Sequence, residues 1–174
     1  LTETLNNIGP LNQQSIFNIW NRIDNLSKPI GSLGVLEEIA AKIAGITGKI
    51  DNSINKKNII IMCADNGVVD EGVSACPQEV TATVTNNFTK GITGVCVLAK
   101  HAASDLTIVD LGVKANFYNP EILNKKIAYG TKNIAKEAAM SREEAIKGIE
   151  IGIEVVQKLI SEGYNLLGTG EMGI

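Results

Sequence analysis

Asn58-Ile59-Ile60-Ile61-Met62-Cys63 is an apolar run of strand length that passes directly into the polar stretch Ala64-Asp65-Asn66-Gly67. Further along the chain, Pro77 fits the first turn of a helix. A buried strand, a polar loop at its carboxyl end and the start of a helix are the parts from which open α/β sheets build their ligand sites. The sequence therefore predicts an α/β fold with a site in this loop.

The loop carries acidic and neutral polar groups and no basic residue. Its carboxylates belong to Asp65, Asp70, Glu71 and Glu79, and its neutral hydrogen-bonding side chains belong to Asn66, Ser74 and Gln78. Without a cation, such a lining suits a weakly polar organic molecule better than a bare phosphate. Single carboxylates at strand ends are also common loop anchors, so a structural and a functional role both stay open for Asp65, Asp70 and Asp110.

Composition restricts the class of protein. The chain has 174 residues, 44% hydrophobic and 20% charged, which suits one well-buried domain better than two. With 16 basic and 19 acidic residues and no basic cluster, we expect no nucleic-acid partner. No apolar run approaches the roughly 20 residues that span a bilayer, so we expect no membrane partner. Cys63, Cys76 and Cys96 are widely spaced, which favours a reducing, cytoplasmic location over a disulfide framework or a zinc site.

Two helices joined by a turn are predicted before the strand. Apolar residues at helical spacing mark a helix over residues 15–26. The apolar side of the second helix is predicted to consist of Leu36, Ile39, Ala40, Ile43 and Ile46. Between the helices, Pro29 and the glycines of residues 28–34 break the helical pattern. This segment is interpreted as a connector in which Lys28 is the one strong functional candidate.

Helices and strands alternate after the loop. Helices are expected over residues 77–91 and 94–103, followed by a buried strand at 106–110. Threonines weaken the first of these helices, so packing must hold it. Asp110 and Gly112 again place a carboxylate and a glycine at a strand end, which supports a parallel sheet with its loops on one edge.

The last part of the chain is predicted as an irregular segment at 114–140, a long helix and a strand. Ser141 and Glu144 have capping-box spacing and begin the helix. Its apolar side is predicted to consist of Ile146, Ile149, Ile153, Val156 and Ile160. The strand then runs into a glycine loop, Gly168-Thr169-Gly170, whose backbone amides are a weak candidate for a phosphate cradle.

Few residues qualify as catalytic groups. Glu171, directly after the glycine loop, is positioned to bind a ribose hydroxyl or to accept a proton. His101 is the only histidine, and its place beside Lys100 in a predicted helix favours a solvated surface position. Neither a Ser-His-Asp arrangement nor a histidine metal site can be built, and we expect no metal and no cofactor.

A set of motifs follows in order along nearly the whole chain. They are Lys28-Pro29-Ile30-Gly31-Ser32-Leu33-Gly34, Ala64-Asp65-Asn66-Gly67-Val68, Gly72-Val73-Ser74, Pro77-Gln78-Glu79-Val80-Thr81, Val109-Asp110-Leu111-Gly112-Val113, Ala139-Met140 and Gly170-Glu171-Met172-Gly173-Ile174. This pattern resembles the nicotinate-nucleotide:dimethylbenzimidazole phosphoribosyltransferase family. The resemblance implies transfer of the phosphoribosyl group of nicotinate mononucleotide to 5,6-dimethylbenzimidazole or a similar base, giving α-ribazole 5′-phosphate and nicotinate in cobalamin biosynthesis.

The resemblance also implies that the domain is incomplete. The chain starts at Leu1 without a methionine and stops within the Gly-Glu-Met-Gly-Ile motif, after which family members continue. We expect residues 1–50 to be the N-terminal helical segment of a small domain. Residues 51–174 are then the first part of a Rossmann-like parallel sheet flanked by helices, truncated at the C-terminus. The family's principal general base, a glutamate, lies in the missing part, so we expect this fragment alone to be inactive and the full-length enzyme to be a homodimer.

Site residues follow from the resemblance in the same way. It places the base-binding wall around Ser74 and Gln78. The substrate-binding residues otherwise expected are Asp65, Asn66, Gly170, Met172, Gly173 and Ile174, with Glu171 as an accessory catalytic residue. The family usually has a histidine where this chain has Asn66. Asparagine keeps the hydrogen bonding but has no titratable group, which argues against a proton-transfer role at this position.

The implied mechanism is a displacement at the anomeric carbon of ribose with inversion from β to α. The protein mainly positions the two reactants and removes a proton. Two other hypotheses stay open: a short paralogue that binds a benzimidazole or a nucleotide without chemistry, and one subunit of a heteromeric transferase. A reading frame that continues past Ile174 favours truncation, whereas a stop codon favours a natural half-protein.

Overall fold

The structure, a computed structural model, describes residues 1–174, which divide into two compact units, Leu1–Ile54 and Asn55–Ile174. The helices are α1 (Thr2–Asn6), α2 (Gln13–Asp24), α3 (Val35–Thr47), α4 (Glu79–Thr89), α5 (Gly94–His101) and α6 (Arg142–Ser161). The strands are β1 (Lys57–Ala64), β2 (Asp105–Gly112), β3 (Ile122–Asn124) and β4 (Leu166–Met172), and a 3-10 turn covers Gly67–Glu71. None of the helices combines the length and the apolar character needed to cross a membrane.

The first unit is built on the pair α2 and α3, as the helical spacing predicted. Its buried apolar side chains are Ile19, Ile23, Ala41 and Ala44. The predicted apolar side of α3 is wrong in part: Ala40 packs against this core, but Leu36, Ile39 and Ile46 are 65%, 47% and 67% exposed. Small residues face α2 instead, since they let the two helices approach closely: a Cβ on Gly45 would lie 2.8 Å from Ile16 Cδ1.

The turn between α2 and α3 is held by a buried carboxylate. Lys28 Nζ donates to Glu37 Oε1 at 2.8 Å, and Leu33 N donates to the same oxygen at 3.1 Å. Glu37 is 4% exposed, and the hydrogen bond from Lys28 holds the pKa of the Glu37 carboxyl below its usual value. These contacts support the interpretation of residues 28–34 as a connector, with Lys28 fastening the start of α3.

The second unit contains a four-stranded sheet in the order β3-β2-β1-β4, in which every neighbouring pair is parallel. Helices cover both faces. On one face the core consists of Ile61, Cys63, Phe88, Cys96, Ile108, Val113 and Ile122, with α4 and α5. On the other it consists of Ile60, Val109, Ile151, Val155 and Leu159, with α6. This arrangement confirms the predicted Rossmann-like parallel sheet flanked by helices, whose ligand sites lie at the carboxyl ends of the strands.

Two helices of the second unit test the sequence patterns closely. In α4, Thr81 and Thr85 are fully buried, and Thr85 Oγ1 donates to Thr81 O at 2.7 Å, so packing holds this threonine-rich helix as predicted.

The predicted capping box at the start of α6 is also confirmed. Its predicted apolar side is wrong in part: Val156 packs against the core, but Ile149 and Ile160 are 52% and 59% exposed, and the helix buries Ile151, Val155 and Leu159. The helix carries two apolar stripes, and spacing alone does not say which one meets the sheet.

Candidate functional site

The parallel sheet brings the ends of β1, β2 and β4 to one edge. Asp65 follows β1 directly, Asp110 of β2 pairs in register with Cys63, and Glu171 of β4 pairs with Met62. Asp65 and Asp110, predicted at strand ends, and Glu171, predicted after a glycine loop, therefore lie at the same end of the sheet. This edge is where ligands bind in open α/β sheets, and it defines the candidate site.

The end of β4 is fastened to the loop after β1 and to α4 by one backbone hydrogen bond and two side chains. Asn66 N donates to Ile174 O at 2.8 Å. Gln78 Nε2 donates to Asn66 O and to Ile174 O, each at 3.1 Å, and Ile174 N donates to Thr81 Oγ1 at 3.1 Å. The structure thus joins Asn66, Gln78 and Ile174, and it adds Thr81, a residue that the sequence reasoning quoted in a motif without giving it a role.

Gly173 makes this joint possible because no side chain fits there. A Cβ on Gly173 would lie 2.2 Å from Ala64 O, 2.8 Å from Glu171 Oε1 and 3.1 Å from Asn66 Nδ2. The Glu171 carboxylate and the Asn66 side-chain amide therefore surround the same point above the end of β1. Because Glu171 is exposed, its carboxylate is accessible to a ligand at this point.

Asp65 ties three segments together. Its side chain is buried, with 2% exposure, and its Oδ2 accepts from Lys114 N at 2.7 Å. Its backbone N donates to Gly112 O at 3.0 Å, and its carbonyl accepts from Thr131 N at 2.9 Å. Its second carboxylate oxygen, Oδ1, is buried without a hydrogen-bond partner. These contacts support the loop-anchor role for Asp65.

Asp110 is neutralised by a lysine that the sequence did not single out. Asp110 is 1% exposed, its Oδ2 lies 2.8 Å from Lys126 Nζ, and its Oδ1 accepts from Val113 N at 2.9 Å. Lys126 Nζ also donates to the carbonyl of Val113 and lies 4.8 Å from the centre of the Tyr129 ring. Asp110 is therefore an anchor for residues 113 and 126. A carboxylate at a strand end with a lysine in the next loop was the available signal.

A second loop closes on the 3-10 turn from the other side. Gly67 N donates to Thr131 Oγ1 at 3.2 Å, and a Cβ on Gly67 would lie 2.6 Å from Thr131 O. Glu71 Oε1 accepts from Asn133 Nδ2 at 2.6 Å and lies 2.8 Å from Lys136 Nζ. The contact with Lys136 contributes most to lowering the pKa of the Glu71 carboxyl. Part of the segment predicted as irregular therefore forms a wall of the site.

Two predicted features of the site differ in their local structure. Ser74 is on the exposed loop before α4, where its Oγ accepts from Cys76 N at 3.2 Å, and no hydrogen bond joins it to the Gln78 cluster. The predicted glycine loop is wrong, since Gly168 and Gly170 lie within β4, opposite Ile59 and Ile61. Because their amides belong to an extended strand, they do not form a phosphate cradle. A Cβ at either position would make an ordinary contact of 3.5 Å with the isoleucine opposite.

The single histidine of the chain does not contribute to this edge. His101 is exposed at the end of α5, which confirms the predicted surface position. No group of three or more histidine, cysteine, aspartate or glutamate side chains is arranged to hold a metal ion. The chemistry available at the candidate site is hydrogen bonding by Asn66 and Gln78 and proton acceptance by Glu171.

A family model described as "Phosphoribosyltransferase" matches residues 8–174. The chain is 60% identical over 174 residues to the nicotinate-nucleotide–dimethylbenzimidazole phosphoribosyltransferase of Clostridium tetani (strain Massachusetts / E88), covering 100% of this chain and 48% of the relative. It is 55% identical over 172 residues to the protein of that name from Ruminiclostridium cellulolyticum, covering 99% and 49%. A crystal structure of the protein of that name from Thermus thermophilus is similar with a TM-score of 0.91 at 36% identity, covering 94% and 50%. The chain spans about half the length of the relatives it matches.

Proposed function

Since the chain belongs to the nicotinate-nucleotide–dimethylbenzimidazole phosphoribosyltransferase family, we propose that it serves in the transfer of a phosphoribosyl group from nicotinate mononucleotide to 5,6-dimethylbenzimidazole or a similar base. The products are α-ribazole 5′-phosphate and nicotinate, and the reaction belongs to cobalamin biosynthesis. We also propose that the enzyme is cytoplasmic and that the full-length protein is a homodimer.

The observation that carries the proposal is the joint between Gln78, Asn66 and Ile174. Both N–H groups of the Gln78 amide are used within the protein, so its oxygen is the group left to accept from a ligand. A benzimidazole has one ring N–H and one ring nitrogen with a free lone pair. Acceptance of the N–H by Gln78 would orient the base, and the second nitrogen would then face the nucleotide.

The reaction needs little more than positioning and one proton acceptor. The lone pair of the base nitrogen forms a bond to the anomeric carbon of ribose, and the bond from that carbon to nicotinate breaks, with its electron pair returning to the pyridine ring. The N–H proton of the base then passes to a carboxylate. We propose Glu171 as an accessory group near this proton and near the ribose hydroxyls, with Asp65, Asn66, Gly170, Met172, Gly173 and Ile174 shaping the substrate site. Ser74 would join the base-binding wall on substrate binding.

The principal base is proposed to lie in the part of the relatives that this chain does not span. The chain by itself should then bind substrates weakly and form no product. A chimera tests this: the chain replaces the segment that it matches in the C. tetani relative, and product formation from nicotinate mononucleotide and 5,6-dimethylbenzimidazole is followed by chromatography. We expect an active chimera and an inactive isolated chain.

Variants of the chimera test the roles of the residues. Glu171→Gln should lower kcat by up to about 100-fold, the lower end of the range for a general acid or base. The matched control is Glu121→Gln, an exposed glutamate before β3, which should leave kcat unchanged. A chimera that binds both substrates but forms no product would instead favour the binding-module hypothesis.

A further inference from the structure

Thr81 is a buried hydroxyl group on the side of α4 that faces the end of β4. Its side chain is fully buried, and its Oγ1 accepts from Ile174 N at 3.1 Å. The carbonyl of Ile174 is held separately, by Gln78 Nε2 at 3.1 Å and by Asn66 N at 2.8 Å. The N–H group of Ile174 therefore depends on Thr81, whereas its carbonyl has two donors.

The sheet itself does not fix this part of the chain. The last residue pair in register between β1 and β4 is Cys63 with Met172, so Gly173 and Ile174 lie beyond the strand pairing. Glycine has more backbone freedom than any other residue. The peptide group between Gly173 and Ile174 is planar, so a hydrogen bond to the N–H of Ile174 also fixes the direction of the Gly173 carbonyl. The Thr81 hydroxyl therefore supplies a restraint where strand pairing has ended.

The carboxylate of Glu171 lies against this restrained segment. Its Oε1 is 2.8 Å from the position that a Cβ on Gly173 would occupy. Glu171 is exposed, and no hydrogen bond or ion pair within the protein holds its side chain. The position of the carboxylate therefore depends on the backbone of Gly173, against which it packs.

We propose that Thr81 is a positioning residue for Glu171. By holding the amide of Ile174, Thr81 keeps Gly173 in the conformation against which the Glu171 carboxylate packs. This inference rests on the proposed function, in which Glu171 is an accessory group near the proton that leaves the base. Misplacement of a reacting group by about 1 Å can cost about 100-fold in rate, so this support affects the chemical step more than substrate binding.

Thr81→Val in the C. tetani chimera removes the hydroxyl acceptor and keeps the shape of the side chain. We expect kcat to fall about tenfold and both KM values to stay within about twofold, because the buried Thr81 acts through Glu171. Thr81→Ser keeps the hydroxyl and should restore most of the lost activity. The matched control is Thr85→Val, an equally buried threonine of α4 whose hydroxyl donates to Thr81 O and makes no hydrogen bond to the end of β4. It should leave kcat unchanged.

A double-mutant cycle separates positioning of Glu171 from a general loss of structure. In a Glu171→Gln background, Thr81→Val should lower kcat by less than about twofold, because the group that Thr81 positions has already been changed. An undiminished loss in that background, an equal loss in Thr85→Val, or an unchanged kcat in Thr81→Val or in Glu171→Gln would each overturn the inference.

Hydrogen exchange of the Ile174 amide tests the contact with Thr81 without relying on catalysis. The amide should be protected in the unmodified chimera and should exchange at least about tenfold faster in Thr81→Val but not in Thr85→Val, as followed by mass spectrometry. An unprotected Ile174 amide in the unmodified chimera would overturn the inference without any variant, should Thr81→Val not fold. A chimera that forms no product contradicts the proposed function, and the exchange rates then still decide whether Thr81 holds Ile174.

Discussion

The side-chain nitrogen of Gln78 lies 3.1 Å from the carbonyl oxygen of Ile174, although 96 positions separate the two residues in the chain. The same nitrogen reaches the carbonyl of Asn66. The amide at the start of α4 therefore joins the backbone bond from Asn66 N to Ile174 O in holding the end of β4 against the loop after β1. The geometry of the proposed substrate site depends on this contact as well as on the Asp65 anchor.

Replacing Gln78 should destabilise the fold as well as the site. In Gln78→Ala the carbonyls of Asn66 and Ile174 each lose one hydrogen bond, while the amides of Val69 and Asn66 stay as their second donors. Each lost bond is worth about 0.5–1.5 kcal/mol, so we expect a total loss of about 1–3 kcal/mol. Urea unfolding of the isolated chain measures the change. Gln157→Ala on the exposed side of α6 is the control and should stay within about 0.5 kcal/mol of the unmodified chain. Equal effects of the two variants would mean that the joint contributes nothing to stability.

Gly173 should tolerate no side chain. In Gly173→Ala the added Cβ would lie 2.2 Å from the backbone carbonyl of Ala64, so the strand end has to move. We expect a loss of about 3 kcal/mol, the upper part of the range for overpacking. The matched variant Gly152→Ala has free space and lies within α6, so it should gain about 0.5–1 kcal/mol. Thermal unfolding of both variants checks the sign, and a stable Gly173→Ala would contradict the geometry.

Two adjacent lysines allow the stability contribution of a buried ion pair to be compared with that of an exposed one. Lys126→Met leaves the Asp110 carboxylate buried without its cation, and we expect a loss of about 3–5 kcal/mol. Lys125→Met removes an exposed pair with Glu154, which should cost about 0–1 kcal/mol. Chemical denaturation of both variants measures the difference. If Lys126→Met lost as little stability as Lys125→Met, the hydrogen bond from the Val113 amide alone would be enough to stabilise the buried Asp110 carboxylate.

The backbone architecture was predictable because hydrophobic periodicity and strand-end residues report on it directly. The apolar run before Asp65, the capping box at Ser141 and the Asp110-Gly112 pattern each indicate an element or its end. The wrong predictions for the helices concern which face of each helix is buried. In both α3 and α6, two apolar stripes compete, and only the neighbouring element decides which stripe is buried.

The candidate site was harder to predict, because its key contacts cross long stretches of chain. The sequence identified Asn66, Gln78 and Ile174 through a family resemblance, but nothing in it says that they hydrogen-bond to one another. Lys126 was missed because it lies in a segment without periodicity, and the three-residue β3 is too short to show any. The Gly168-Thr169-Gly170 motif was predicted as a loop, because a sequence does not distinguish glycine within a strand from glycine in a loop.

Thiol labelling should separate the three cysteines. Cys76 is exposed, whereas Cys63 and Cys96 are buried, and desolvation raises the pKa of the Cys63 thiol to about 11. Since the thiolate is the reactive form, an aromatic disulfide reagent at about pH 8 should label one thiol rapidly. Cys76→Ser should abolish that fast phase. A second fast thiol in the folded chain would show that β1 or α5 is more open than described.

The pair of Glu37 and Lys28 predicts how the stability of the first unit depends on pH. The hydrogen bond from Lys28 lowers the pKa of Glu37 in the folded chain below the ordinary value of 4.5. A carboxyl with a lowered folded pKa stabilises the fold fully above its unfolded pKa, and that contribution is lost as the pH falls through the folded value. The free energy of unfolding should therefore exceed that of Glu37→Gln by a constant amount above about pH 5, and the gap should narrow below pH 4.5. Urea unfolding of both chains from about pH 3 to about pH 7 measures the difference between their free energies of unfolding.

The control repeats the comparison in a Lys28→Met background. There the difference should narrow less on acidification, because the main cause of the lowered pKa of Glu37 is gone. The same narrowing in both backgrounds would show that Lys28 does not set the pKa of Glu37.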